Sequence, residues 1–326
     1  MLENIIKKFK EGKVLVIGDL ILDEYVTGEA EKLSPEAPVP VIKLKERYYK
    51  LGGAANTANN ISSLSKGVYL CGFYGDDEDG TKLINLISEN NIKNIGLKYS
   101  SYQTIVKTRI TARYPYHPPQ QIVRVDKEKT VDIPKKLQEK VINNIKEIID
   151  NIDVIAISDY DKGFLTENII RNVREISKTN KKITIVDTKP SRMHLYKDFD
   201  WFTPNIIEAQ TFSNIKHNGI KKNLKEISKT MIKKLNPNYF LITCGGEGMY
   251  FYDKALKHIP VITKEVSDVS GAGDTVVAIL ALALASGAKP LEAVQLANYG
   301  ASIVVGKAGT ATINIDELEY AIKNNN

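Results

Sequence analysis

The residues best suited to chemistry in this sequence are an aspartate and the glycine-rich turn just before it. Residues 266–276 read VSDVSGAGDTV, and Asp274 stands where the following apolar stretch would begin a helix. Backbone N–H groups at a helix start have no partner within the helix, so those of Gly271, Ala272 and Gly273 could bind an anion. A carboxylate beside them would repel a bound phosphate and is better suited to take a proton from an attacking hydroxyl. This pattern indicates phosphoryl transfer; the alternative is an ordinary helix start with flexible glycines.

A second glycine cluster, GGAANTA at 52–58, precedes another stretch with helical spacing. Gly52 and Gly53 would let backbone approach a ligand closely, and the side-chain amide of Asn56 can both donate and accept hydrogen bonds. Neither cluster matches the G-x-x-x-x-G-K-[ST] loop or the G-x-G-x-x-G turn after a strand. The two commonest nucleotide-binding folds therefore lose support.

Short β-branched runs alternate with helical patterns, which indicates an α/β fold with a mostly parallel central sheet flanked by helices. The runs are KVLVIGD, GVYLCGFYG, VIAISDY, KITIVDT, DWFTPN and YFLITCGG. Ligands of such folds bind at the carboxyl ends of strands. The residues at these ends are Asp19, Gly75, Asp159, Asp187, Asn205 and Gly245. Residues 24–50 and 102–126 alternate as strands outside this order, and we expect them to form a small separate sheet.

Bulk properties are typical of one enzyme domain over residues 1–326, because no repeat or Pro/Ser-rich linker divides the chain. No signal peptide is recognised, so we expect a cytoplasmic protein. The apolar run TVVAILALALASGA is too short to cross a bilayer and predicts a buried helix. The formal charge of +6 is spread over mixed Lys/Glu segments, which argues against nucleic-acid binding.

Together the motifs resemble the ribokinase-like (PfkB) carbohydrate kinases, the family of ribokinase, fructokinase and the minor phosphofructokinase. The resemblance covers nearly the whole chain, with GGAANTA and DVSGAGD (268–274) as its two signatures. Other segments are most similar to the heptose-7-phosphate kinases of lipopolysaccharide-precursor synthesis, and SPEAPVPV (34–41) is the most specific of them. Those segments are 16–44, SDYDKG (158–163), VDTK (186–189), TPNIIEA (203–209) and 297–313. The resemblance implies an ATP-dependent kinase for the anomeric hydroxyl of D-glycero-D-manno-heptose 7-phosphate.

For the catalytic and acceptor sites, the resemblance implies that Asp274 is the base and that the 271–273 amides stabilise the transferring phosphoryl group. Asp23 matches a family aspartate that binds sugar hydroxyls, and Asp19 lies on the same strand face. The remaining acceptor residues would be Gly52, Gly53, Asn56, Asp159 and Lys162. Cationic partners for the sugar phosphate would come from Arg109, Arg124 and Lys189, each of which could instead be a surface ion-pair residue.

For the nucleotide, the resemblance implies that Asn205 and Glu208, spaced N-x-x-E, orient Mg²⁺ through water; the alternative is a helix cap. Lys189 would also lie on the cofactor side. The adenine site would be built from Thr243, Gly246, Gly248 and Asn298. Asp268, with backbone carbonyls between residues 306 and 312, looks like the loop pair that holds K⁺ in relatives.

The small sheet would be a lid over the sugar and the surface of a homodimer; the alternative is an inert hairpin. Two departures from the heptose-kinase pattern stand out. The stretch at 114–120, with Pro115, Pro118 and Pro119, is longer than in relatives, which leaves the acceptor open. Many relatives continue into a nucleotidyltransferase domain, so we expect any adenylylation step to belong to another protein. Alternative functions are a kinase for fructose 6-phosphate, ribose or a nucleoside, and a non-catalytic sugar sensor.

Overall fold

Two larger β-sheets and one two-stranded sheet organise the chain in a computed structural model that describes residues 2–114, 117, 119–215, 220–262, 268–307 and 309–324. The strands are β1 (Val14–Gly18), β2 (Leu20–Leu33), β3 (Pro40–Gly53), β4 (Val68–Cys71), β5 (Phe73–Tyr74), β6 (Lys93–Asn94), β7 (Leu97–Lys98), β8 (Ile105–Arg113), β9 (Gln120–Lys127), β10 (Val154–Asp159), β11 (Ile183–Thr188), β12 (Trp201–Phe202), β13 (Tyr239–Thr243), β14 (Met249–Asp253) and β15 (Ala255–Ile259).

The helices are α1 (Leu2–Ile6), α2 (Ala54–Ser62), α3 (Glu78–Glu89), α4 (Lys135–Ile148), α5 (Glu167–Thr179), α6 (Ile206–Ser213), α7 (Ile220–Leu235), α8 (Ala272–Ala285), α9 (Pro290–Val304) and α10 (Ile315–Asn324). Single 3-10 turns occur at Phe9–Glu11, Ile149–Asn151, Met193–Tyr196 and Gly245–Glu247. None of the helices in these described ranges is long and apolar enough to cross a membrane.

The large sheet has the order β15-β14-β13-β12-β11-β10-β1-β4-β6. All pairs from β13 to β6 are parallel, and all six predicted runs supply a strand to this sheet. The prediction of a mostly parallel central sheet is confirmed. The edge hairpin β14–β15, which pairs antiparallel with β13, was not predicted.

Helices cover both faces of this sheet because side chains of a strand alternate between its faces. In β1, Val14 and Val16 pack into one apolar cluster with α1, α2, α3, α8, α9 and α10. Leu15 and Ile17 pack into the other cluster, with α4, α5, α6 and α7. Helix α8 is buried from Asp274 to Leu284, as its continuous apolar sequence predicts.

The second sheet has four strands in the order β3-β2-β8-β9 and contains most of the two segments that break the βα order. The pairs β2–β3 and β8–β9 are antiparallel, whereas β2–β8 is parallel. Only Asp19 separates β1 of the large sheet from β2 of the small one, so the two sheets are joined at the predicted site. Of the proline-rich stretch, Pro115 and Pro118 lie outside the described residues.

Candidate active site

Asp274 lies in the first turn of α8 and is 6% exposed. The helix begins after Gly271, whose φ of +78° favours glycine, and a Cβ there would lie 3.0 Å from the Asn56 amide nitrogen. The glycine therefore brings the start of α8 against α2. Residues from the two signatures, more than 200 positions apart, meet at this point.

Three side chains donate hydrogen bonds to the Asp274 carboxylate. Asn56 Nδ2 lies 2.6 Å from Oδ2, while Tyr160 Oη and Thr57 Oγ1 lie 2.8 and 3.2 Å from Oδ1. Burial raises the pKa of Asp274, and these three hydrogen bonds oppose that rise because they favour the ionised form. Asp274 is therefore a buried carboxylate with donors aimed at it, which suits a base.

Of the three backbone N–H groups predicted to bind an anion, only two are available. The N–H of Ala272 donates to the Val269 carbonyl at 3.2 Å, so it is used within the turn. The N–H groups of Gly271 and Gly273 have no partner among the residues that the structure describes. A Cβ at Gly273 would meet no atom within 4 Å, so space is open beside that residue, whereas one at Gly271 would lie 3.0 Å from the Asn56 amide nitrogen. Two donors, together with the helix dipole, are therefore available at the start of α8.

Asp19 is fully buried, and its carboxylate accepts backbone N–H groups rather than facing open space. Oδ2 accepts from Tyr160 at 2.9 Å and Lys162 at 3.2 Å, and Oδ1 accepts from Phe164 at 3.3 Å. Burial and the neighbouring Asp159 raise the pKa of Asp19 to about 7. Asp19 thus holds the 160–164 turn against the strand ends.

Asp23 and Arg109 form an ion pair on the small sheet, with Oδ1 and Nη1 2.7 Å apart. Asp23 is 3% exposed, and the Arg109 side chain is 17% exposed. A Cβ at Gly52 would lie 2.8 Å from the Asp23 carboxylate, so glycine is required by close approach. Gly53, at φ +57°, is required by its backbone conformation where β3 turns into α2.

Two lysines that the sequence analysis did not select lie in register with Asp23. Lys50 on β3 and Lys107 on β8 are its direct cross-strand partners. Burial lowers the pKa of both ammonium groups, while Asp23 acts in the opposite direction. The only signal in the sequence was a basic residue at a matching position on each neighbouring strand.

Three other predicted acceptor residues already have partners. Arg124 forms a two-point ion pair with Asp126 at 2.8 and 2.9 Å, and half of its side chain is exposed. Lys162 Nζ lies 2.7 Å from Glu128. The buried Asp159 accepts from Arg192 Nε at 2.7 Å and Tyr196 Oη at 2.6 Å. For Arg124, this contact fits the alternative interpretation of a surface ion pair.

On the nucleotide side, Asn205 and Glu208 form a capping box at the start of α6. Each side chain accepts the other's backbone N–H, at 2.9 and 3.0 Å. Lys189 Nζ lies 3.0 Å from Glu208 Oε1. Asp187, at the end of β11, was recognised as a strand end but not selected as a site residue. Burial and the carboxylates of Glu208 and Asp274 raise the pKa of Asp187 to about 8.

Asp187 and Glu208 could supply only some of the ligands of a divalent metal ion, and the others would have to be water or substrate. Among the described residues, no group of three or more His, Cys, Asp or Glu side chains is arranged to hold a metal ion. Such a site fits Mg²⁺, which keeps several waters and uses one or two carboxylates together with substrate phosphates. Asp187 and Glu208 are the candidate carboxylates.

The predicted adenine residues surround the turn after β13. Thr243 forms an isolated bridge with Asn205, which joins this turn to the capping box. Cβ atoms at Gly245 and Gly246 would meet nothing within 4 Å, whereas one at Gly248 would collide with the Ile259 carbonyl. Asn298 lies on α9 and donates to the Pro260 carbonyl at 2.9 Å.

Around Asp268, some of the acceptors expected to hold K⁺ have donors. The Asp268 carboxylate accepts from the N–H groups of Ser270 at 2.8 Å and Gly309 at 2.9 Å. Lys50 Nζ donates to the carbonyl of Thr310 at 3.0 Å, and Lys307 Nζ donates to that of Thr312 at 2.9 Å. A monovalent cation that used these two carbonyls would share them with two ammonium groups.

Comparison with known proteins gives a match over nearly the whole chain. Residues 11–317 match the pfkB family carbohydrate kinases. The bifunctional protein HldE of Sulfurimonas denitrificans is 38% identical over 318 residues, covering 97% of this chain and 65% of that protein. HldE of Helicobacter pylori is 38% identical over 311 residues, covering 94% and 65%. The chain thus spans about two thirds of the length of these curated relatives.

Solved structures with low sequence identity share the fold. Phosphofructokinase-2 from Escherichia coli, in complex with substrates and products, aligns with a TM-score of 0.78 at 15% identity, covering 96% of this chain and 99% of that one. Ribokinase from Arabidopsis thaliana, complexed with ribose and ATP, aligns with a TM-score of 0.70 at 17% identity, covering 96% and 99%. The predicted ribokinase-like fold is confirmed.

Proposed function

Because the chain belongs to the pfkB family of carbohydrate kinases and is therefore a phosphotransferase acting on a sugar hydroxyl, we propose that its acceptor is D-glycero-D-manno-heptose 7-phosphate, phosphorylated at the anomeric hydroxyl. Residues 16–44 resemble the corresponding segment of heptose kinases, and this resemblance supports the proposed acceptor. The matches to the bifunctional protein HldE agree with it.

The observation that carries the proposal is the contact of Asp274 with Asn56 at 2.6 Å, beside the two open amides. The anomeric hydroxyl gives its proton to the Asp274 carboxylate, and its oxygen forms a bond to the γ-phosphorus of ATP. The bond from that phosphorus to the β–γ bridging oxygen breaks, and ADP leaves with the electron pair. The amides of Gly271 and Gly273 stabilise charge on the phosphoryl oxygens.

Cationic side chains on the small sheet favour a phosphorylated sugar over ribose or a nucleoside. Lys50, Lys107 and Arg109 lie beside Asp23. With the nearby Arg124, Asp126 and Asp268, four positive charges meet three negative ones. A neutral sugar needs hydrogen-bonding partners but no net positive charge. A sugar phosphate would neutralise the excess, because arginine and lysine are the usual phosphate partners.

Kinases of this family use ATP with a divalent metal. We propose that the metal is Mg²⁺, held by Asp187 and Glu208 mainly through water, and that it neutralises charge on the nucleotide phosphates. Lys189, paired with Glu208, lies on the same side. The adenine would bind beside the open turn at Gly245 and Gly246.

We further propose that both sheets belong to one kinase domain, in which the small sheet is a lid that excludes water from the acceptor. A second copy of the chain would cover the exposed apolar side chains of this sheet, which gives a homodimer. These exposed residues are Leu33, Val41, Leu44, Val123 and Val125.

The test is ADP release from ATP with a panel of acceptors: heptose 7-phosphate, fructose 6-phosphate, ribose and a nucleoside. We expect the highest kcat/KM with heptose 7-phosphate. A higher value for another acceptor would reject heptose 7-phosphate as the substrate but would agree with a sugar kinase. If a sugar phosphate binds but no acceptor gives ADP release, the result would instead support the alternative function of a non-catalytic sugar sensor. Product analysis by ³¹P NMR would identify the phosphorylated hydroxyl.

A further inference from the structure

Tyr160 lies at the centre of the site, although the sequence motifs do not assign it a role. It follows β10 directly, so it is at the carboxyl end of a central strand. Its hydroxyl donates to Asp274 Oδ1 at 2.8 Å, and its backbone N–H donates to Asp19 Oδ2 at 2.9 Å. The residue therefore connects a rigid strand end to the carboxylate proposed as the base.

The arrangement of donors leaves room at Asp274 for one more. An ionised carboxylate has about four acceptor positions, two on each oxygen. Tyr160 and Thr57 use the two on Oδ1, and Asn56 uses one on Oδ2. The remaining position on Oδ2 is the one that an acceptor hydroxyl could take.

Of the two donors on Oδ1, Tyr160 is the better defined. The Thr57 hydroxyl lies 3.2 Å from Asp274 and also 3.2 Å from Ser158 Oγ, and in the contact with Ser158 either hydroxyl can be the donor. The Tyr160 hydroxyl is closer to Asp274. Burial raises the pKa of Tyr160 well above its usual value, so the hydroxyl keeps its proton at neutral pH.

The Tyr160 ring is fixed from both sheets. The ammonium nitrogens of Lys107 on β8 and Lys189 after β11 lie 5.5 and 5.4 Å from its centroid, within the range of cation–π attraction. Its backbone belongs to the turn that Asp19 holds by three N–H groups. A protonated hydroxyl has one proton to donate, and here it donates it to Asp274.

We propose that Tyr160 is a positioning residue for the base: its hydroxyl fixes Oδ1 of Asp274, keeps the carboxylate ionised and thereby directs Oδ2 to the acceptor hydroxyl. This inference rests on the proposed function, because it assigns the base role to Asp274. Removing the donor should raise the pKa of Asp274, since a hydrogen bond to the ionised form favours that form.

Other polar and charged groups near Asp274 also influence its pKa. Asn56 and Thr57 donate from α2, the carboxylates of Asp23 and Asp187 act from β2 and β11, and the Lys189 ammonium acts from the loop after β11. Tyr160→Phe leaves all of these in place. A change in the titration of Asp274 would therefore report on the hydroxyl.

The matched control is Tyr102→Phe, which makes the same chemical change nearby. The Tyr102 hydroxyl is buried and has no hydrogen-bond partner among the described residues, so its loss removes no bond to Asp274. Thermal unfolding of both variants would show that each is folded. The pKa of Asp274 would be measured by ¹³C NMR of aspartate-labelled protein without acceptor, with Asp274→Asn to assign the signal.

We expect Tyr160→Phe to raise the pKa of Asp274 by about one unit. With the best acceptor of the panel, the acidic limb of kcat against pH should move upward equally, and kcat at its plateau should fall roughly tenfold. Tyr102→Phe should leave both unchanged. An unshifted Asp274 signal in Tyr160→Phe, or an equal shift in Tyr102→Phe, would overturn the proposal. The NMR measurement needs no turnover, so failure of the kinase assignment would be seen separately, as absence of ADP release in the wild type.

Discussion

Replacing Asp274 by asparagine should separate catalysis from folding. The side chains have nearly the same shape, but the amide cannot take a proton from the acceptor hydroxyl. General-base catalysis contributes about 10²- to 10⁴-fold to a rate. We therefore expect kcat to fall by that factor while the KM for ATP stays close to the wild-type value.

The effect of Asp274→Asn on stability follows from its three donors. If the amide oxygen stays with Tyr160 and Thr57, the new NH₂ group faces the Asn56 nitrogen, 2.6 Å from the original oxygen. A lost buried hydrogen bond costs about 1–3 kcal/mol. An opposing gain comes from removing a buried charge. Burial raises the pKa of Asp274 in the folded state, so its ionisation costs stability above the pKa of the unfolded chain.

These two contributions have opposite signs at pH 8, where the wild-type carboxylate is ionised in the unfolded chain. At about 2–4 °C per kcal/mol, the lost hydrogen bond alone would lower Tm by at most about 12 °C, and removing the buried charge makes the loss smaller. The assays are ADP release with the best acceptor and thermal unfolding by circular dichroism. Asp76→Asn, at a largely exposed ion pair with Lys98, is the control and should retain full activity. A loss of kcat below about tenfold with unchanged Tm would remove Asp274 from the base role.

Three further predictions address the acceptor, the joint between the sheets and the monovalent ion. Arg109→Met should raise the KM for the sugar phosphate by about tenfold or more without changing the KM for ATP, measured by initial rates; equal effects on both would contradict a phosphate contact. The pKa of Asp19, raised to about 7 by burial and Asp159, predicts that the free energy of unfolding falls as pH rises from about 4 to 7, because the unfolded chain releases this proton first. In urea titrations, Asp19→Asn should flatten this decline; an unaltered slope would show that other groups cause it. Since Lys50 and Lys307 already bond two loop carbonyls, we expect K⁺ and tetramethylammonium at equal ionic strength to give rates within about twofold. A larger rise with K⁺ would show that the ion binds despite these lysines.

The parts of the fold that local sequence determines were predictable. Buried parallel strands read as continuous β-branched runs, so β1, β10 and β11 are visible in VLVIG, VIAISD and ITIVDT. The edge hairpin β14–β15 is different because its sequence, MYFYDKALKHI, mixes aromatic and charged residues around a tight turn at Lys254. Its place in the large sheet depends on pairing with β13, which no local pattern reveals.

In the site, the sequence indicated which residue types meet but not how their hydrogen bonds are shared. Asn56 and Asp274 belong to two recognisable glycine clusters, and the family resemblance assigned both to the same site. Tyr160 carries no such mark, since a tyrosine after a strand is ordinary and its partner lies 114 positions away. Arg109 and Arg124 are direct cross-strand partners, yet only Arg109 reaches the Asp23 carboxylate. Which arginine pairs with Asp23 depends on how deeply each position is buried. The alternation of side chains along a strand does not predict that burial.

Asp19 connects the proposed base, the proposed acceptor site and the turn that carries Tyr160. It is the only residue between the large-sheet strand β1 and the small-sheet strand β2. Its carbonyl accepts the N–H of Ala54 at 3.0 Å, which fixes the start of α2 and hence Asn56, while its carboxylate fixes the turn that carries Tyr160. Asn56 and Tyr160, two of the three donors to Asp274, are thus both held in place by Asp19. A movement of the small sheet about this joint would change the acceptor side while the base keeps its partners, as a lid over a fixed catalytic group requires.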